Sequence, residues 1–126
     1  MKSYTDLEQS KRLAEILPIG SADMKILSFG IDIKRRVVPI DDIAVLNRED
    51  EIPCWSLAAL LDVLESEIDG EEGETYQLNI EKDGTWWNVW YRERYDEANP
   101  IETASTEELI DACVEMIEKL HKQKLL

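Results

Sequence analysis

The stretch Tyr76-Gln77-Leu78-Asn79-Ile80-Glu81-Lys82-Asp83-Gly84-Thr85-Trp86-Trp87-Asn88-Val89-Trp90-Tyr91 decides the fold of this chain. Tyr76 to Glu81 alternates apolar and polar side chains, Asp83-Gly84 is a two-residue hairpin signal, and a second β-prone run follows it. Counting outward from that turn sets Lys82 opposite Thr85, Glu81 opposite Trp86, Ile80 opposite Trp87, Leu78 opposite Val89 and Tyr76 opposite Tyr91. One face of the hairpin is then wholly apolar, with Tyr76, Leu78, Ile80, Trp87, Val89 and Tyr91. The other carries Gln77, Asn79, Glu81 and Asn88 together with Trp86 and Trp90. Three of the four tryptophans thus fall on opposite faces of one segment and cannot all be core. Trp86 and Trp90, ~13 Å apart at ~3.3 Å rise per residue, become the candidate binding residues, and Trp87 is expected in the core.

Downstream of the hairpin, Ser105 with Glu108 reads as a capping box, and Leu109, Ile110, Cys113, Val114, Ile117 and Leu120 recur at helical spacing. Glu108, Asp111, Glu115 and Glu118 line the opposite side. That line reads either as a solvated face with Glu115-Lys119 and Glu118-Lys122 pairs or as an acidic surface that imitates nucleic acid. Lys119, His121, Lys122 and Lys124 gather at the helix end, where cations favour its dipole.

Upstream, Pro53 to Leu64 is apolar almost all round, so a helix with Pro53 in its first turn is expected at the centre of the molecule. The acidic Gly70-Glu71-Glu72-Gly73 stretch ends it. Two β-prone runs, Met24 to Phe29 and Ile33 to Ile40, are separated around Gly30, and Asp41 to Glu51 reads as loop. Lys34-Arg35-Arg36 reads as an internal charge partner or an edge-strand guard. At the start, Thr5 with Glu8 forms another capping box for a helix carrying Leu7, Leu13, Ala14, Ile16 and Leu17, stopped by Pro18 and Gly20. The expected order is α-β-β-α-β-β-α: a single α+β domain, residues 1–126, in which helices cover a mainly antiparallel sheet.

Composition excludes several functions. The 28 acidic and 14 basic side chains leave a net charge of −14, which opposes direct binding to nucleic acid or to an anionic membrane. Cys54 and Cys113 share no CxxC spacing and sit in apolar runs, as reduced, buried thiols do. A helix N-terminus near Cys54 would favour its thiolate, but burial acts against it. His121, beside lysines, reads as a helix-end cation. One histidine and two distant cysteines do not make a zinc set, and the glutamates around Gly70 and Gly73 would repel phosphate. No catalytic residue, metal or cofactor is therefore expected, and the chain reads as non-enzymatic. Its polar N-terminus and the lack of any apolar run near the ~20 residues of a membrane span point to a soluble cytoplasmic protein.

Three segments carry a resemblance. Tyr4-Thr5-Asp6-Leu7-Glu8-Gln9-Ser10-Lys11 with Ala22-Asp23-Met24, Pro53-Cys54-Trp55-Ser56-Leu57-Ala58-Ala59-Leu60-Leu61, and Asp111-Ala112-Cys113-Val114-Glu115-Met116-Ile117-Glu118-Lys119-Leu120-His121 resemble a group of small proteins encoded in prophages and mobile elements of gut bacteria. That family carries no assigned activity, so the resemblance implies an origin and transfers no functional residue. The expectation is a binding or inhibitory accessory protein acting on a host or phage protein. The alternative is a small-ligand-binding domain with an aromatic pocket near Trp86 and Trp90.

Overall fold

The computed structural model describes residues 1–28, 35–40 and 51–126, and among these residues three helices and two antiparallel sheets form an α+β fold. In chain order the elements are α1 (Leu7–Ile16), β1 (Met24–Ser28), β2 (Arg35–Pro39), β3 (Glu51–Cys54), α2 (Leu57–Val63), β4 (Glu67–Asp69), β5 (Thr75–Asp83), β6 (Trp86–Glu93), β7 (Asp96–Thr106) and α3 (Leu109–Lys122). A 3-10 turn, Ile19–Ser21, follows α1. The sheets run β2-β1-β3 and β4-β5-β6-β7. The expectations for Phe29, Gly30, Ile33, Lys34 and residues 41–50 lie outside the described residues.

The hairpin forms where the alternation places it, but its turn sits one residue later. Asp83 pairs with Trp86, Lys82 with Trp87, Ile80 with Val89 and Leu78 with Tyr91, leaving Gly84-Thr85 as the two-residue loop. Gly84 has φ +61° and Thr85 has no positive φ, the pattern of a type II′ turn with glycine at its first central position. An Asp83-Gly84 loop of type I′ would need positive φ at both residues. Each cross-strand partner therefore moves by two, and because the side-chain period is also two, both faces keep their members.

Three strands escaped the sequence reading. β3 takes Glu51 to Cys54 from the expected loop and helix start, pairing Ile52 with Ile26 and Pro53 with Lys25. β3 is an edge strand, where a proline is tolerated. The helix consequently begins after Ser56, whose side chain accepts from the Ala59 N–H at 3.2 Å. β4 adds a short edge through Ile68 opposite Tyr76, and β7 pairs along β6 with register shifts at Arg92 and Glu93.

The central helix is α3 and not α2. Leu109, Ile110, Ala112, Cys113, Val114, Met116, Ile117 and Leu120 are all buried along it, against Val89, Tyr91 and Ala104 of the sheet and against α1 and α2. α2 buries only Ala59 and Leu60 within its span. Neither capping box forms as expected: the first moves by one residue and the second is absent, α3 having no side-chain cap at its N-terminus. Asp6 and Gln9 cap α1, with the Gln9 N–H donating to Asp6 at 2.8 Å and the Asp6 N–H donating to Gln9 Oε1 at 3.0 Å. Thr5 is buried instead. Ser105 ends in β7, and Glu108 precedes α3 with its carboxylate accepting from the Lys2 N–H at 2.8 Å.

Candidate functional site: the outer face of the hairpin sheet

The strand register decides which side chains share the outer face of the four-stranded sheet. Glu67 and Asp69 come from β4, Gln77, Asn79, Glu81 and Asp83 from β5, Trp86, Asn88, Trp90 and Arg92 from β6, and Thr103 and Ser105 from β7. None of these is buried, whereas their alternating neighbours Ile68, Val89, Tyr91 and Ala104 are. The helices therefore pack on one face and leave the other to solvent.

Trp86 is 49% exposed, the Trp90 ring is half-buried, and both lie on this outer face as the alternation requires. Asp83 stands directly opposite Trp86, Asn79 and Thr103 flank Trp90, and Asn88 lies between the two rings with its Oδ1 accepting from Ser105 Oγ at 2.5 Å. The surface is aromatic at its centre, with amide and hydroxyl groups between the rings and carboxylates toward the turn. Trp87 reaches the other side, where it is half-buried against the core and has the Lys82 ammonium 5.4 Å from its ring centroid. Its expected place wholly in the core is not reached, because the end of the hairpin runs past the packed helices. Ile80, on the same inner face, is 38% exposed for that reason. Alternation gives the face a residue occupies, while the length of the overhang depends on tertiary packing, so Ile80 had no sequence signal as a surface residue.

Neither Trp86 nor Trp90 lines any of four depressions found among the described residues. Trp86 is thus exposed outside all four of them.

Burial and hydrogen bonding account for the remaining chemistry-bearing residues Cys54, Cys113 and Tyr91. Cys54 is buried; desolvation raises its thiol pKa, partly offset by hydrogen bonding with Thr5 and Ser10. Burial alone pushes Cys113 up to about 12. Tyr91 is raised by burial first and by the nearby Glu65 carboxylate second, and its hydroxyl donates to the Glu65 carbonyl at 2.5 Å. The acidic side of α3 is an interhelical seam. Asp111 pairs with Lys2 at 2.8 Å and accepts from Gln9 at 2.7 Å, Glu118 pairs with Arg12 at 3.0 Å, and Glu115 pairs with Lys119 at 3.1 Å. The expected Glu118-Lys122 pair is replaced by the Arg12 contact. Three of the four acids on this side, Asp111, Glu115 and Glu118, are paired with cations, which makes a poor imitation of a phosphate backbone.

Among the described residues no three His, Cys, Asp or Glu side chains converge as metal ligands, and no helix is long and apolar enough to cross a membrane. Comparison with family models, with curated proteins and with solved structures returned no match to this chain.

Proposed function

We propose that the chain is a non-enzymatic binding or inhibitory accessory protein of a phage or mobile element, which docks a host or phage protein on the Trp86/Trp90 face. The observation that carries this reading is the exposed indole of Trp86 on a sheet face that no helix among the described residues packs against. Large aromatic side chains left in water are unfavourable for folding and are enriched where interface energy concentrates. The overhanging hairpin end extends the surface, presenting Trp86 on one side and Ile80 on the other. An open aromatic face with polar surroundings suits a protein surface, whereas the small-ligand alternative needs a concave site at the tryptophans.

Trp86→Ala is expected to change folding stability by less than about 1 kcal/mol and the half-buried Trp90→Ala by about 1–2 kcal/mol, measured by urea titration. Immobilised wild-type protein should retain a partner from the native host that the double variant loses and a Tyr95→Ala control, in the turn between β6 and β7, keeps. Equal retention by all three would place the interface elsewhere.

A further inference from the structure

A second site lies away from the tryptophans, where the end of α1, the following 3-10 turn, α2, β4 and the end of α3 meet. The cavity there measures ≈350 Å³. Leu17, Ala59, Ile68 and Leu120 are buried in its lining, Val63 and Leu125 are half-buried at its sides, and Asp62 and Glu65 are exposed at its mouth. No Lys, Arg or His is among its lining residues.

Local structure explains why this space stays open. Ala59, Asp62 and Val63 share one side of α2 at helical spacing. The Tyr91 hydroxyl holds the Glu65 carbonyl and so fixes that part of the rim. At the end of α3 the chain doubles back in a Schellman motif, with the Lys124 N–H donating to the His121 carbonyl at 3.1 Å and the Leu125 N–H to the Leu120 carbonyl at 3.0 Å. Lys124 takes the left-handed conformation at φ 59°, and Leu125 is brought beside Leu120 to form a wall. Ser21 also lines the cavity, but its Oγ already accepts from the Trp55 indole N–H at 3.0 Å and donates to the Pro18 carbonyl at 2.6 Å. The buried part of an occupant therefore meets apolar groups, and its polar end meets two carboxylates.

We propose that this cavity binds a small amphiphilic amine, with its hydrocarbon body among Leu17, Val63, Ile68, Leu120 and Leu125 and its ammonium group at Asp62 and Glu65. The volume lies in the range of small-molecule sites. An ammonium donor pairs with carboxylates by charge-assisted hydrogen bonds, and at the mouth of an apolar cavity that attraction is less screened than in open water. An anionic head would be repelled.

The test uses octylammonium below its micellar concentration, with octanol and octanoate as neutral and anionic counterparts, on the full chain. Octylammonium should give saturable shifts of the Val63, Ile68, Leu120 and Leu125 methyl resonances and of the Trp55 indole N–H, leaving those of Trp86 and Trp90 in place. Octanol and the Asp62→Asn/Glu65→Gln variant should each lose about tenfold in affinity, the size of one charge-assisted contact. Those two positions are exposed, so the variant retains its fold; Ala59→Leu, which fills the cavity, should abolish the shifts. Octanoate binding as tightly as octylammonium, an unchanged affinity in the charge variant, or no saturable shift at these methyls would overturn the assignment.

Discussion

Thr5 is a polar side chain with no exposed surface, and its hydrogen-bonding capacity accounts for that. Its hydroxyl accepts from the Trp55 N–H at 3.1 Å, shares a hydrogen bond with Ser10 Oγ at 2.8 Å and lies 3.5 Å from Cys54 Sγ, which in turn donates to the Thr5 carbonyl at 3.3 Å. A hydroxyl offers one donor and two acceptor sites, and all have partners here. Among the described residues Cys113 has no such hydrogen bond, and burial favours its neutral thiol in the folded state. From the ordinary value of 9.0 up to about 12 the folded chain keeps a proton that the unfolded chain releases, and stability falls as pH rises through that window. Cys113→Ala should flatten that fall by up to one proton's worth of slope, ~1.4 kcal/mol per pH unit, in urea titrations at alkaline pH. An unchanged slope would mean that the thiol does not stay neutral through the window.

Elements with a single strong period were legible, and those defined by their neighbours were not. The hairpin faces followed from alternation alone, and an error of two in the partner count left them intact, whereas the turn position depended on the one glycine φ that alternation does not report. α3 followed from its apolar stripe, although Ala112 and Met116 are buried as well because neighbours pack on more than one side. β4 buries only Ile68 between two exposed acids, and β7 runs through Pro100 with a shifted register, so neither carries a strand pattern of its own. Trp86 and Trp90 were visible as a shared face; the cavity was not, since its lining comes from elements scattered over the chain. The end of α3 gives a test at this scale. Lys124 holds a conformation that glycine adopts without a Cβ clash, so Lys124→Gly should raise stability by about 0.5–1 kcal/mol, shifting the urea midpoint with no change in slope. A loss of stability would show that the lysine side chain contributes more than its backbone strain removes.

Across the whole molecule, the first dozen residues are joined to two distant parts of the chain. The Thr5 N–H donates to the Trp55 carbonyl at 2.9 Å and the Leu57 N–H to the Ser3 carbonyl at 3.2 Å. Lys2, Gln9 and Arg12 reach Asp111 and Glu118 across the seam with α3. Burial acts to lower the Lys2 pKa, but Asp111 and Asp6 outweigh it and raise it. On Asp6 burial acts upward, and the Gln9 N–H and the Lys2 ammonium together hold its carboxyl below the ordinary range. A chain with net charge −14 thus places two of its cations, Lys2 and Arg12, where they tie the N-terminal segment to α3.

The N-terminal segment closes against residues far along the chain, and that has a consequence for the order of folding. Bringing it onto a platform made by Trp55 and α3 requires the platform first, and the entropy of closing so long a loop is recovered only after the sheet and α3 have met. The segment should be absent from the folding nucleus. Thr5→Val, which keeps the shape and removes the hydroxyl, is expected to destabilise by about 1–3 kcal/mol and to place nearly all of that on the unfolding arm of the chevron, with the folding arm unmoved. A slowed folding arm would instead mean that the two ends of the chain meet before the transition state is crossed.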